Sequence, residues 1–582
     1  MGHCRGPVHR VRRVQVSWCR QAAWRRGARW LDKHGLVAHG ECSTKYQGQV
    51  QAVPLASTPP GRPDRLDSAA ALDDFLQDIA LGHSERYAAA HAAIPRSTAR
   101  DQRRRAQRIE AEPEVVAFLE TPAGQMLLHR LVLAAHVVLT LLGPCGVAMV
   151  RRFLELSGLA PFVARSHGAQ HHMAAALLAQ VQAFADHERT RLSAAMVPQR
   201  ITLVEDETFH PQILLVAMEA VSGFVVLESY APSCDAACWN QNVIRALDGL
   251  RVEVIQVTSD EGKGLVAHVT HGLGAVHSPD LFHVQHELSK ATAAPLAARE
   301  RAAQRVVASG AHRTDEEQQA CVEEQRQCVK RREQARAAIR DLGEAYHPFD
   351  PATGAARSAQ HVQGALQAQV ERIESLARDA GLTEASHLAI AKAGRVVPSM
   401  GQTMGFFVHE VGQRLVGLGM PTPMLREVAE KLVPALYLTE AAGKTSDTEK
   451  RALYEGTVAR LLAPLREPTS ALRALSEAGQ EQVVAVAKAC AQVFQRASSC
   501  VEGRNGQLSL RHHSLHTLSP EKLSALTTVH NYVLAREDGT TAAERFFGQK
   551  PLDLFEWLLD TMPLPPRPAS RRPRVAPPPL LN

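Results

Sequence analysis

The chain has 582 residues, 45% of them hydrophobic and 22% charged, with a formal net charge of +6. This length and apolar content exclude a disordered chain or one small domain and predict several domains with proper cores. The mildly basic balance admits a polyanionic partner without establishing one. Aromatic residues are only 5% while Ala, Leu, Arg and Gln abound, which predicts a mostly helical protein.

Residues 1–66 are Arg-rich and then Pro- and Gly-rich, without periodicity, and are expected to be a basic, disordered extension. The first thirty residues carry eight Arg and no acid. They lack an uninterrupted apolar core, so a secretory signal is not expected. The ten cysteines show no dense or even spacing, which predicts free thiols in a reducing cytosol. A zinc site from Cys4, Cys19 and Cys42 has no spacing to support it.

Residues 67–198 predict a helical domain, with helices over Ala69–Ile79, Glu85–Ala93, Glu114–Glu120 and Gln125–Leu142 and a basic helix or arm over Ser97–Glu112. Met126–Leu142 is nearly long enough to cross a bilayer. His129, Arg130 and His136 inside it predict a buried helix instead. Val147–Leu156 is a short helix, Ser157-Gly158 a turn, and His171–Ala183 a further helix after a break at Ser166–Gly168. Short helices joined by small turns suit a helix-turn-helix reader, with Arg151, Arg152, Arg165 and Gln170 as candidate DNA contacts. An ordinary all-α packing domain fits the same pattern.

Residues 199–290 hold the only clear β pattern. Apolar runs at Ile201–Val204, Ile213–Met218 and Phe224–Leu227 predict three antiparallel strands, with a tight turn at Ser222-Gly223. A helix around Trp239–Leu250 crosses over to a fourth strand, Val252–Val257. That ordering predicts an RNase H-like core. Residues 291–495 then read as an all-helical insertion. It opens on a charged, exposed hairpin over Ala297–Arg340 and continues through Gln363–Ala380, Pro423–Thr439, Thr448–Ala463 and Ala471–Ala497. Residues 496–562 complete the core, and 563–582 form a Pro- and Arg-rich tail.

The acids carry the chemistry. Glu205-Asp206-Glu207 follows the first strand and Asp260-Glu261 the fourth. If those strands are neighbours, Asp206 and Asp260 meet. Two carboxylates so close favour a divalent cation, and oxygen ligands favour Mg²⁺ or Mn²⁺. Two such ions suit an in-line phosphoryl displacement. Strand alternation alone does not decide which of Glu205, Asp206 and Glu207 faces the metal. A third acid is needed. Glu502 is the choice, with Asn505 one turn along on the same face and Arg504 and Arg511 supplying positive charge; Arg504, Asn505 and Arg511 are candidate DNA contacts. Glu544 is the competitor. Asp280, His283 and His286 form a D-x-x-H-x-x-H run, read more readily as a capped helix start than as a zinc site. Trp239 is read as a buried crossover-helix aromatic rather than a contact to splayed DNA.

The segments DETFHP, TSDEGKGL, HSPDLFHVQHEL, SSCVEGRN and DGTTAAERFFGQKPLDLFEWLL resemble those of bacterial insertion-sequence transposases of the DDE type. The resemblance spans roughly residues 115–562. It implies Asp206, Asp260 and Glu502 as the catalytic, metal-binding triad. It places the GTTAAERFF segment after the catalytic helix and so demotes Glu544. It also implies a large helical insertion between Asp260 and Glu502. The function expected is cleavage of element ends and transfer of the 3′-hydroxyl to target DNA, with two Mg²⁺ or Mn²⁺ ions. Partners would be double-stranded DNA and a second copy of the chain, with no membrane, in the bacterial cytoplasm at the nucleoid. A catalytically decayed DNA-binding relative and an RNase H-like nuclease without strand transfer share the fold and are the alternatives.

Overall fold

A computed structural model describes residues 65–106, 109–209, 212–310, 313–515 and 518–568. The expected basic extension up to residue 64, Cys4, Cys19, Cys42 and the tail from residue 569 lie outside the described residues. The protein is mostly helical, 68%, around one mixed five-stranded sheet.

Helices α1 Arg65–Ala80, α2 Glu85–His91, α3 Arg96–Ala106, α4 Pro113–Leu119, α5 Pro122–His136, α6 Val147–Leu156 and α7 His167–Ala195 precede the sheet. Pro at a first helical position and side-chain caps explain several starts: Thr121 accepts from Gly124 N–H at 3.1 Å and Ser166 from Ala169 N–H at 3.2 Å. The expected break at Ser166–Gly168 is real. The helix after it begins at His167 rather than His171 and runs on to Ala195, because Met173, Leu177, Val181, Phe184 and Leu192 keep one face buried throughout. Pro122–Leu142 is long and apolar enough to cross a membrane, yet more than half of it is buried in the protein and Arg130 pairs with Glu556 at 3.0 Å.

The sheet runs β3-β2-β1-β4-β5. β1 Gln199–Phe209, β2 Ile213–Glu219 and β3 Val225–Ala231 are antiparallel neighbours, while β4 Val252–Ser259 and β5 Val276–Pro279 lie parallel to β1. The β2–β3 turn needs Gly223, whose φ of +74° is left-handed, and the Glu219 carboxylate accepts the N–H groups of Val221 and Ser222 at 3.1 and 2.7 Å. Crossover helix α8, Ala236–Leu247, is capped by Asp235 and buries Trp239 completely. Two expectations are corrected. β1 extends through the acids, so Asp206 pairs with Val216 inside the strand rather than following it. The fifth strand, β5, was not foreseen: its four residues are too short and too polar for an apolar run.

After β4 come α9 Lys263–Ala267 and a π-turn, His268–Leu273. Beyond β5 lies a helical block: α10 Leu281–Ala308, α11 Asp315–Ala345, α12 Ala359–Asp379, α13 Glu384–Gly394, α14 Val397–Val416, α15 Thr422–Glu427, α16 Val433–Lys444, α17 Thr448–Arg466 and α18 Glu477–Gln492. α10 and α11 pack as a hairpin, with a capping box at Thr314 and Glu317 opening the second arm. The block has its own core around Leu288, Leu342, Tyr346, Phe407, Leu438 and Phe494. Its two ends meet, since Leu281 N–H donates to Arg496 O at 3.0 Å. The chain therefore leaves the sheet and returns to it at one place.

The chain closes with α19 Ser499–Leu515, α20 Pro520–Tyr532, α21 Ala542–Phe547 and α22 Leu554–Thr561. One sheet face (Leu203, Leu215, Val226, Val257) packs with Phe184, Trp239 and Phe546. The other (Val204, Leu214, Val216, Val225) packs with Val501, Leu508, Leu523 and Leu526 of α19 and α20. The sheet is thus covered by helices on both faces.

Candidate active site

Strand period places the three acids of β1. Residues two apart share a face. Asp206 follows Val204 onto the α19 side, while Glu205 and Glu207 follow Leu203 onto the α8 side. Glu205 is fully buried, its Oε1 3.5 Å from His268 Nε2, and neither of its oxygens accepts a hydrogen bond. Glu207 sits near Asp260, the Trp239 indole and the Cys234 thiol. Burial, then the Asp260 charge, push its carboxyl up to about 7.

Val204 is in register with Thr258, so two residues on, Asp206 comes level with Asp260 at the carboxyl ends of neighbouring parallel strands. Asp260 Oδ1 accepts Gly262 N–H at 2.9 Å. A Cβ at position 262 would stand 2.9 Å from that oxygen, which favours glycine there.

α19 supplies the third acid. Glu502 lies in its first turn, where a carboxylate suits the helix dipole. Asn505 is one turn on, and its Nδ2–H donates to Asp206 Oδ2 at 2.8 Å. The helix is anchored from its other side: Arg504 grips Glu228 of β3 with Nε–Oε1 2.8 Å and Nη2–Oε2 2.6 Å, both side chains buried. Asp206 is pushed up to about 7, chiefly by burial and then by Glu502, Asp260 and Glu207, with His283 opposing. Glu502 is also raised, by burial and by Asp280, with His283 again opposing. Asp206, Asp260 and Glu502 are therefore brought together at one end of the sheet. Glu544 is elsewhere: it opens α21, which Arg545 ties to the β2–β3 turn through Ser222 O at 2.7 Å.

A neighbouring group was underrated in the sequence. Asp280, His283 and Glu502 each offer a donor atom within 4.8 Å of the others, an arrangement that could hold a metal ion. The D-x-x-H spacing puts Asp280 and His283 one turn apart at the start of α10. His286 does not join them; it stacks on Phe282 with ring centroids 6.0 Å apart.

Several of the expected DNA contacts have partners within the protein. Gln170 is fully buried, accepting from His136 Nε2–H at 2.8 Å and donating to Ala164 O at 2.7 Å, so it braces the helical domain internally. Arg504 is committed to Glu228, and Asn505 to Asp206. Arg511 donates to Gly143 O at 2.6 Å and to Leu142 O, capping the π-turn after α5. Arg151 donates to Arg165 O at 2.9 Å. Arg152 and Arg165 remain exposed on either side of Glu155, at 3.3 and 3.1 Å from it. Trp239 is a core residue stacked on His268 at 5.8 Å.

Residues 428–574 match a family of unknown function, DUF6399. The matched region carries Glu502 and Asn505 but neither Asp206 nor Asp260. No curated protein and no solved structure matches the chain.

Proposed function

We propose that this protein is a DDE-type DNA transposase: an RNase H-like core, interrupted by the helical block, with Asp206, Asp260 and Glu502 as its catalytic acids. The observation that carries the reading is the convergence of Asp206 within β1, Asp260 just after β4 and a helix-borne glutamate from far along the chain. The strand order, with three antiparallel strands and two parallel ones after a crossover helix, supports it.

The donor set fits hard divalent cations. Burial and the neighbouring carboxylates hold Asp206 and Glu207 near 7, and Glu207 Oε2 and Asn505 Oδ1 are buried without a hydrogen-bond partner. Asp206, Asp260 and Glu502 would hold Mg²⁺ or Mn²⁺. Two such ions, when bound, supply Lewis acidity to the attacking and leaving oxygens.

The chain's own residues do the positioning. Asn505 fixes one oxygen of Asp206 and leaves the other free. The buried Arg504–Glu228 pair fixes the rotation of α19 and so the aim of Glu502. In the reaction assigned, a water oxygen attacks the phosphorus at the element end and the P–O3′ bond breaks, leaving a 3′-hydroxyl. That hydroxyl then attacks a target phosphodiester, forming a new P–O3′ bond and releasing a target 3′-hydroxyl. Double-stranded DNA and a second protein copy are the partners, since two ends must be joined, and the site of action is the bacterial nucleoid. Arg152 and Arg165 are the contacts retained for the helical domain.

The test is a cleavage and strand-transfer assay on DNA carrying the element ends. Joined product supports the reading. Cleavage without joining favours a nuclease, and binding without cleavage a decayed, DNA-binding relative.

A further inference from the structure

We propose that Asp280, His283 and Glu502 form a second, mixed nitrogen–oxygen cation site, which takes a first-row divalent ion such as Mn²⁺ in preference to Mg²⁺ and shares Glu502 with the Asp206–Asp260 pair. This deepens the transposase reading by assigning the ligands of the second of its two ions, and rests on it only through Glu502.

The geometry argues for it. His283 Nε2 lies 3.8 Å from Asp280 Oδ2 and 4.0 Å from Glu502 Oε1. These distances are too long for hydrogen bonds. They are close to what a central ion imposes: donors about 2.1 Å from a metal stand roughly 3–4.2 Å from one another. A closure of less than about 1 Å completes the site.

Asp280 is built in rather than merely nearby. It is 1% exposed. Its Oδ1 accepts Phe282 N–H at 2.8 Å, and its Oδ2 accepts from Ser498 Oγ. Those donors leave each oxygen a further lone pair and set the carboxylate's orientation, as outer partners do for metal ligands. Ser498 also anchors Glu502, whose N–H donates to Ser498 O at 3.0 Å. One serine thus ties the start of α10 to the start of α19. The helix cap alone accounts for Oδ1 of Asp280 but not for His283 beside Oδ2 and a Glu502 oxygen within 4.8 Å of the pair.

The ligand class follows from the donors. An imidazole nitrogen suits first-row transition ions, whereas Mg²⁺ takes oxygen. Sharing Glu502 would place this ion next to the Asp206–Asp260 ion.

The test is Mn²⁺ titration of the full chain, with bound ions counted by electron paramagnetic resonance and ¹⁴N coupling read by its pulsed form. Wild type should bind two Mn²⁺ per chain and show directly bound nitrogen. His283→Ala should lose the nitrogen signal and weaken one ion at least about tenfold. Asp206→Asn with Asp260→Asn should keep the nitrogen-coupled ion and lose the other. His283 is partly exposed, and a melting temperature matching wild type shows the variant folded. Mn²⁺ bound without nitrogen coupling overturns this proposal and leaves the Asp206–Asp260 reading standing. Nitrogen coupling that survives His283→Ala also overturns it. No bound Mn²⁺ at all overturns both.

Discussion

Asn505 reaches across from α19 to donate its amide to Asp206 of β1 at 2.8 Å, joining residues 299 positions apart in the chain. That bond ties the helix that carries Glu502 to the central strand. Asn505→Ala should leave the fold intact and weaken metal binding and DNA cleavage about 10–100-fold, the usual effect of losing an outer partner of a metal ligand. Titration calorimetry with Mn²⁺ and a cleavage assay check this. Unchanged affinity would make the contact incidental.

The Arg504–Glu228 pair should behave as a buried structural ion pair. Arg504→Ala strands a fully buried carboxylate and should cost about 3–5 kcal/mol. The double change Arg504→Met with Glu228→Gln should recover much of that loss. Urea unfolding of the single and double variants measures the coupling. A small, additive effect would mean that α19 is held by its apolar face alone.

Asp206 links the site to pH. Its carboxyl is raised from its ordinary value to about 7. Between about pH 4 and 7 the folded protein keeps a proton that the unfolded chain has lost. In a chelator, this group's contribution is therefore full at acid pH and is lost as pH rises through that window. Asp206→Asn removes the loss, so the variant's melting temperature should climb relative to wild type from pH 4.5 to 7.5. A pH-independent gap would contradict the assignment. Metal affinity should fall about tenfold per pH unit below 7 for each proton displaced.

In the helical domain, Arg152→Ala and Arg165→Ala should each weaken DNA binding across sequences and reduce the log–log salt slope by about 0.9. Gln170→Ala should leave that slope unchanged while costing about 1–3 kcal/mol, because His136 and Ala164 O lose their partner. Filter binding at several salt concentrations separates the two outcomes. A slope unmoved by the arginine changes would mean that DNA lies elsewhere.

Much of this was legible in the sequence because the governing signals are local. Four strands, the turn at Gly223 and helix α6 follow from period and turn chemistry. Asp206 and Asp260 could be paired because strand ends in a crossover arrangement lie side by side. What failed is tertiary. β5 is a four-residue strand with a histidine and a serine, held by β4 rather than by its own propensity. The first arm of the hairpin expected over Ala297–Arg340 begins earlier, at Leu281, and runs through Pro295, because its buried face packs on the block's core. Nothing local reveals Glu228, the Gly143 carbonyl or His136 as the partners of Arg504, Arg511 and Gln170. The role of Asp280 was half visible: the cap could be read, but the approach of Glu502 could not.

The most direct test of the central claim is strand transfer on DNA bearing the element ends, with Mg²⁺ or Mn²⁺. It compares wild type with Asp206→Ala, Asp260→Ala, Glu502→Ala and Glu544→Ala. Wild type and Glu544→Ala should give joined product, and the other three none, a loss of at least about a thousandfold. Joined product from Glu502→Ala, or its loss only in Glu544→Ala, would contradict the account.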